Sequence, residues 1–582
     1  MADPVALLGE RVVRAIVAAF GAEYAHAEPA VHRSSFADYQ ADAALRLTKP
    51  LKRPPLEVAK AIAEKLELDG ICEPDGITVT PPGFVNFRLS RRFLEGELAR
   101  LAADERAGVA VTRRPETVVI DYSAPNVAKE MHVGHLRSTV IGDSLARTLR
   151  FLGHRVIPQN HIGDWGTPFG MLIEHQHDLG AEAAAKELAL GSLNEFYQAA
   201  RKKFDADPAF AERARTRVVK LQAGDEATLA DWRELVTASR RYFSEIYRRL
   251  HIELADDDVR GESAYNAFLD DVAADLEKKG VARVDQGALC VFLDEWKGRD
   301  GTPVPLIVRK SDGGYGYAAT DLAAIRYRTR ELGATRLLYV VGAPQQQHFA
   351  MVFSAARAAG YLPEGTRAEH VMFGSVLGPD KKMFKSRAGE TVRLSELIDE
   401  AAERASAAVR AKNPSFSDEE VARTGADVGI GAIKYVDLSS DRVKDYIFDW
   451  DRMLAFEGNT GPYLQYAHAR ICSIGRKAEA EGLVAAAPSA ISLGEKAERA
   501  LAVELLGFDA AVNAVAVGLQ PHKLCTYLYD LASAFTTFFE NCSVLKAETK
   551  ELAASRLALC NATRQSLSLG LGLLGMSAPE RM

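Results

Sequence analysis

Ser123-Ala124-Pro125-Asn126-Val127-Ala128-Lys129-Glu130-Met131-His132-Val133-Gly134-His135-Leu136-Arg137-Ser138-Thr139 is the stretch that decides the fold. The run before it, Thr117 to Tyr122 (TVVIDY), is β-branched and apolar between Pro115 and Pro125, which predicts a short buried strand. After it, Val140, Ile141, Leu145, Leu149 and Leu152 recur at helical spacing up to Gly153, a suitable C-terminal stop. The segment is therefore a strand-to-helix turn opening a βαβ unit. Such a turn aims free backbone N–H groups and the positive end of the helix dipole at whatever lies above it, most often phosphate. His132 and His135 with Gly134 between them suit that place. Imidazole N–H groups bond phosphate oxygens, and glycine lets a nucleotide approach the backbone. Taken alone the pattern is weak, since two histidines at this spacing also occur as plain surface residues.

A chain of 582 residues implies several domains. Its 47% hydrophobic content supplies large cores. No uninterrupted apolar run reaches the roughly 18 residues needed to span a bilayer, and MADPVALLGERVV lacks the basic start of a signal peptide. A cytoplasmic protein without membrane attachment is expected. The six cysteines (72, 290, 472, 525, 542 and 560) form no CxxC pair, so they read as reduced core residues and not as a zinc site or disulfide framework. The net charge of −7 does not decide on RNA, which needs basic patches and not a basic total.

In chain order, residues 1–114 read as a small α+β module. A helix is expected over Val5 to Phe20 and another over Leu56 to Leu66 after Pro54-Pro55. Strands are expected at Ile77 to Val79 and Phe84 to Leu89 around Pro81-Pro82-Gly83. Residues 115–426 form an α/β nucleotide-binding core. Its further strands are expected to begin at Arg155 and to cover Arg336 to Val341 and Val371 to Phe373, with polar loops behind them at the crevice end of the sheet. His161-Ile162-Gly163-Asp164 mimics the first signature but lacks its second histidine. A charged helical insertion spans about 175–260, and its charges read as a solvated face. Gly287 to Leu293 and Pro305 to Lys310 read as strands. Asp312-Gly313-Gly314 closes a hairpin onto Tyr315-Gly316-Tyr317, and Thr320 or Asp321 is the candidate cap of the next helix. Residues 427–582 are almost wholly helical.

The first window resembles the HIGH signature of class I aminoacyl-tRNA synthetases, and SAPNVAKEMHVGHLRST resembles the arginyl-tRNA synthetase version in particular. Lys381-Lys382-Met383-Phe384-Lys385-Ser386-Arg387-Ala388-Gly389 (381–389) resembles the KMSKS loop, with Phe384 where the signature has its first serine. FADYQADAALRLTK and GFVNFRLS resemble the additional N-terminal domain of that family, and EGNTGPYLQYAHAR the start of its anticodon-binding domain. The resemblance implies a Rossmann-type parallel-sheet catalytic core between an N-terminal α+β domain that meets the tRNA elbow and a C-terminal all-α anticodon-binding bundle.

It also implies roles for residues. His132, His135, Lys129 and Lys385 would be catalytic. Gly134, Lys382 and Ser386, with His132, His135 and Lys385, would hold ATP, and Arg387 would add charge. Asp121, Tyr317 and Asp321 match residues that face the guanidinium of arginine, and Asn126 and Gln345 those that face its α-amino and carboxylate groups. Many members have Glu where this chain has Asp121. Tyr39 and Gln40 match residues near a D-loop base, beside Asp42 where Asn is frequent. Tyr463, Gln465, Tyr466, Arg470 and Arg564 match the anticodon side.

The activity implied is arginine–tRNA ligation. The carboxylate of L-arginine attacks the α-phosphorus of ATP, and the terminal ribose hydroxyl of tRNA(Arg) then takes the arginyl group, with tRNA commonly required for activation. ATP is a substrate, Mg²⁺ travels with it, no protein metal site or tightly bound cofactor is expected, and the chain is expected to act as a monomer. Three other readings remain open: a class I synthetase for another amino acid, a catalytically silent RNA-binding relative, and a small-substrate nucleotidyltransferase. The last leaves the helical C-terminal third unexplained.

Overall fold

The structure, a computed structural model, describes residues 3–34, 36–188, 193–298, 300–384 and 392–582. The chain forms two compact units. One comprises Met1–Val111, Phe456–Gly572 and Ser577–Met582, and the other Thr112–Ala455 and Leu573–Met576. The N-terminal and C-terminal modules thus share one unit. Residues 427–455, placed with the C-terminal module on sequence grounds, cluster with the catalytic unit instead.

The catalytic unit is built on four parallel strands: β1 (Thr117–Asp121), β2 (Arg155–Gln159), β3 (Arg336–Tyr339) and β4 (Arg367–His370), in the order β4-β3-β1-β2. Their apolar side chains, Val118, Val119, Ile120, Leu337 and Leu338 among them, are buried, as strands covered on both faces require. After β1 the chain passes through helix α1 (Val133–Phe151) to β2 on one side, and later enters β3 on the other, after helix α2 (Tyr317–Arg330). The order reverses between β1 and β3, the switch point at which open α/β sheets bind ligands. Helix α3 (Gln346–Ala358) follows β3 and leads to β4. The last strand is Arg367–His370 and not Val371–Phe373. Those later residues lie at the strand's exit, where Gly342 forms a single bridge to Phe373.

Among the described residues, the insertion is five helices within Pro168–Arg249. Its charges are more than a solvated face. Glu174 accepts from Arg213 at 3.1 Å and Arg217 at 2.7 Å, tying helices Pro168–Leu179 and Pro208–Gln222. A three-stranded antiparallel sheet (Ala282–Asp285, Ala288–Lys297, Pro303–Arg309) precedes α2. The hairpin expected to pair through Tyr317 stops at a single Arg309–Tyr315 bridge, because α2 starts at Tyr317 behind Gly316.

In the other unit, a four-stranded antiparallel sheet (Val31–Arg33, Tyr39–Ala41, Phe84–Leu89, Cys72–Thr80 in spatial order) packs with helices Pro4–Phe20, Ala43–Leu51 and Pro55–Ala63. The C-terminal helices join it. Arg33 pairs with Glu504 at 2.6 Å, and Gln565 donates to the Asp104 carbonyl at 2.7 Å. Lys496–Gly518 is the one helical stretch among the described residues long and apolar enough to cross a membrane, which a count of uninterrupted apolar residues passes over. It is two helices broken near Leu506-Gly507, with Leu501, Leu505, Phe508, Val512 and Val515 in the unit's core.

Candidate active site

The turn between β1 and α1 is held in a conformation its residues resist. Ser123, Ala124 and Ala128 all have positive φ, at 73°, 47° and 58°, in the region an L side chain enters at a cost of about 1–2 kcal/mol per residue. Side chains from elsewhere hold it. Ser138 Oγ accepts from the Ser123 amide at 2.9 Å, Asn160 Oδ1 from Ala124 at 3.1 Å, and Ser239 Oγ from Ala128 at 2.9 Å.

At its end the two histidines cap α1 reciprocally. His132 Nδ1 accepts from the Gly134 amide at 3.0 Å, and His135 Nδ1 accepts from the His132 amide at 3.1 Å. A ring nitrogen that accepts from an amide carries no proton, so in each neutral imidazole the proton is on Nε2. Burial, then Lys129, lowers the proton affinity of His132; burial, then His132, pushes His135 down to about 3. Both rings are therefore neutral Nε2–H donors at pH 7. Gly134 has a second reason to be glycine: a Cβ there would lie 2.7 Å from the His132 ring and block the cap.

Residues 392–394, which follow the second signature, bond to the first. Val133 N donates to Val392 O and Leu394 N to Met131 O, so the segment after the cationic loop runs beside the histidine turn. At the loop's entrance, Phe384 stacks on the buried Phe448 with centroids 4.6 Å apart. Lys382 is exposed there, its amide bonded to Asp380 at 3.1 Å. Lys385, Ser386 and Arg387 lie outside the described residues.

Beside the turn opens a cavity of about 1150 Å³ lined by Asn126, Lys129, Trp165, Tyr197, Glu262 and Tyr317, among others. Asn126 is exposed at its rim beside Gly163, where a Cβ would strike Asn126 Oδ1 at 2.4 Å. Lys129 Nζ sits 4.3 Å from the centre of the Tyr197 ring. Tyr317 is 76% exposed, and Gln345, at the start of α3, is exposed with no capping bond from its side chain.

The acids differ from the expected set. Asp121 Oδ2 accepts from the buried Arg328 at 2.7 Å, and Gln159 also accepts from that guanidinium at 2.7 Å. Asp121 is committed to a cation of the chain itself. Glu262 lines the cavity. The segment carrying it runs along the loop after β2, with Arg260 N bonded to Asn160 O and Glu262 N to Ile162 O. Burial, then Asp164 and Asp321, pushes the Glu262 carboxyl up to about 7. Asp164 accepts from the Ser263 amide and hydroxyl at 2.8 and 2.7 Å. Asp321 Oδ2 is bonded to His348 Nε2 at 2.6 Å. Neither Thr320 nor Asp321 caps α2, because the helix begins three residues before Thr320. Sequence reasoning missed Glu262 because it follows the insertion, about 100 residues from the loop it lines; a Gly-Glu-Ser step at re-entry to the core was the sole local signal. Among the described residues no three His, Cys, Asp or Glu side chains cluster to hold a metal ion.

In the other unit, three expected tRNA contacts, Tyr39, Gln40 and Gln465, are internal. Tyr39 is fully buried, and Gln40 bonds Asp42 at 2.8 Å. The exposed ring of that loop is Phe36, at 92%. Gln465 is buried and donates to Ser577 O at 3.0 Å, and the Tyr463 hydroxyl meets Thr536 at 3.3 Å. The Arg470 guanidinium lies 5.1 Å from the Tyr466 ring and 5.3 Å from the Phe539 ring. Arg564 is exposed at a hollow of about 300 Å³ with Asn561 and Gln565.

Comparison with known proteins bears on all three modules. Residues 98–450 match the family model for the catalytic domain of class I (R) tRNA synthetases, 464–582 the DALR anticodon binding domain, and 7–89 the arginyl tRNA synthetase N-terminal domain. The chain is 53% identical to the arginine–tRNA ligase of Thermobifida fusca over 582 residues, all of both chains. It is 48% identical to that of Cronobacter sakazakii over 580 residues, 99% of each. Among solved structures, the arginyl-tRNA synthetase of Plasmodium falciparum superposes with a TM-score of 0.85 at 30% identity, and that of Thermus thermophilus with 0.82 at 27%, both over the whole of each chain.

Proposed function

The chain belongs to the arginyl-tRNA synthetase family, and from that premise we propose how its own residues carry out arginine–tRNA ligation, the ATP-dependent activation of L-arginine and its transfer to the 3′ end of tRNA(Arg). The observation that carries the reading is the acid set at the cavity. Burial, Asp164 and Asp321 all raise Glu262, and neither Glu262 nor Asp321 has a lysine or arginine ion pair among the described residues. A guanidinium is planar, permanently charged and rich in donors, so it satisfies two carboxylates and the Tyr317 hydroxyl at once. A neutral rival leaves those groups unpaired, which is the basis of strong discrimination. Asn126 and Gln345 bind the α-amino and carboxylate groups.

The substrate carboxylate attacks the α-phosphorus of ATP in line, and pyrophosphate leaves. The 2′- or 3′-hydroxyl of the terminal tRNA ribose then attacks the adenylate carbonyl, and AMP leaves. No covalent enzyme intermediate forms, so catalysis is positioning and charge stabilisation. His132 and His135 donate Nε2–H to phosphate oxygens. Lys129 and Lys382 neutralise charge, and Lys385 and Ser386 complete the loop in this reading. Mg²⁺ enters with the nucleotide, held by phosphates and water, and supplies further neutralisation of phosphate charge when bound.

On the tRNA side, Phe36 takes over the stacking role expected of Tyr39. The Arg470 guanidinium with the Tyr466 and Phe539 rings forms a platform for anticodon bases. Arg564 contacts phosphate. We place the enzyme in the cytoplasm as a monomer. Aminoacylation of total tRNA with each amino acid in turn tests the reading. Arginine alone is expected to be charged, and charging of another amino acid in its place overturns it.

A further inference from the structure

We propose that His348 is the positioning residue that fixes the carboxylate of Asp321 for the substrate side chain, so that the first turn of α3 governs both ends of the amino acid. This rests on the reading of Asp321 as a guanidinium ligand.

Asp321 is the fifth residue of α2, beyond the four amides that a cap satisfies, so capping does not account for it. The terminal torsion of an aspartate is broad, and an unheld carboxylate swings. Glu262 shares its electrostatic surroundings and repels it when both are ionised. Against that, His348 Nε2 holds Asp321, 2.6 Å from Oδ2. That bond occupies one oxygen and leaves Oδ1 for a ligand. The imidazole is itself backed by the core. It meets the edge of Phe349 at 5.4 Å, and Phe349 packs on Tyr339, Phe353 and His370.

Gln345 stands three residues before His348, at the start of the same helix. Residues three apart on a helix are neighbours. One rigid turn therefore carries the amide assigned to the α-group and the imidazole that sets the side-chain acid. The spacing of the two backbone positions is fixed by helix geometry.

The test is steady-state aminoacylation of tRNA(Arg) by the full-length enzyme carrying His348→Ala, His348→Gln or His348→Leu. A hydrogen bond to a charged group is worth enough that His348→Ala should raise KM for arginine about 10–100-fold, with kcat and KM for ATP within about 3-fold of wild type. Gln keeps an N–H donor at a similar reach and should restore KM to within about 3-fold, and Leu, which fills the space without a donor, should behave as Ala. Should the Ala variant fail to fold, the Gln–Leu pair decides. Equal losses in kcat, in KM for ATP and in melting temperature, with no difference between Gln and Leu, would mean a merely structural histidine and overturn the proposal. Wild-type enzyme that charges an amino acid other than arginine would bring down the underlying reading first. Wild type that charges arginine, beside a Leu variant with unchanged KM for it, would refute the role of His348 alone.

Discussion

Glu262 should make arginine binding depend on pH in a range where most synthetase groups are silent. Its carboxyl is pushed up to about 7 by burial and by two neighbouring acids. A guanidinium needs the carboxylate, so only the ionised fraction binds. With a pKa of about 7 that fraction is roughly one-tenth at pH 6, one-half at pH 7 and nine-tenths at pH 8. The apparent KM for arginine scales as its reciprocal, about 11, 2 and 1.1 times the limiting value. It should therefore rise roughly fivefold from pH 7 to pH 6 and level off above pH 8, while kcat at saturating arginine stays flat. His135, pushed down to about 3, does not titrate in this window, and His132 is lowered as well, so KM for ATP serves as the internal control.

Glu262→Gln removes the titration, so its KM for arginine should be high at every pH and free of the slope. The same substitution has a stability signature of the opposite sign. A carboxyl raised in the folded state above its unfolded value of 4.5 costs nothing below pH 4.5, and the cost grows until pH 7. Glu262→Gln should accordingly melt about 3 °C higher than wild type at pH 8 without arginine, with the gap closing towards pH 5. A wild-type KM for arginine that is flat from pH 6 to pH 8, or a slope that survives in Glu262→Gln, would refute this account of the pocket.

Three further expectations separate chemistry from scaffold. His132→Ala should lower kcat of aminoacylation about 10²–10³-fold and destabilise α1 by about 1 kcal/mol through the lost cap; His132→Asn should recover the melting temperature but not the rate. Phe36→Ala should raise KM for tRNA about 5–100-fold, the worth of one stacked base, with KM for arginine unchanged, whereas Tyr39→Ala should cost about 3–5 kcal/mol of stability as an emptied core position, read by denaturant unfolding. Arg328→Met should lower stability by about 3–5 kcal/mol because it strands the buried Asp121 carboxylate, and the double variant with Asp121→Asn should recover much of that loss; a single variant as stable as wild type would return Asp121 to the list of substrate-facing acids.

Local pattern carried the sheet and the phosphate turn. Thr117–Asp121, Arg155–Gln159 and Phe84–Leu89 fall where β-branched runs and bracketing prolines place them, and α1 starts at the residue after His132. The errors occur where a residue's role depends on what distant chain brings to it. Val31–Arg33 and Tyr39–Ala41 are three-residue strands, too short for alternation to register; Tyr39–Ala41 forms because Phe84–Leu89 is there to pair with, and Val31–Arg33 pairs with Tyr39–Ala41 in turn. Their pairing is also what turns Tyr39 into the core and leaves Phe36 outside. Gln465 looked available on a helix face, and the returning C-terminal segment covers it.

The exchange of Asp121 for Glu262 has the same origin and a sharper lesson about charge. Asp121 stands one residue from the signature turn, at the crevice end of β1, so proximity in sequence favours it. Yet the same place puts it within 2.7 Å of a guanidinium that α2 delivers from more than 200 residues away. Arg328 and Asp121 neutralise each other in the buried interior, with the Gln159 side-chain oxygen accepting a further guanidinium N–H. A second acid is left outside that pair, raised in proton affinity and facing a cavity, and it is the one able to bind a cation that comes and goes. In a site for a permanently charged substrate, the telling acid is the one the fold leaves without an internal cation, and that is a property of the charge balance of the whole pocket and not of any motif. Moving a cation beside Glu262, for instance by Asn266→Lys at the cavity wall, should therefore depress arginine binding about as strongly as Glu262→Gln. A variant with wild-type KM for arginine would show that the balance of charge at Glu262 is not what holds the substrate.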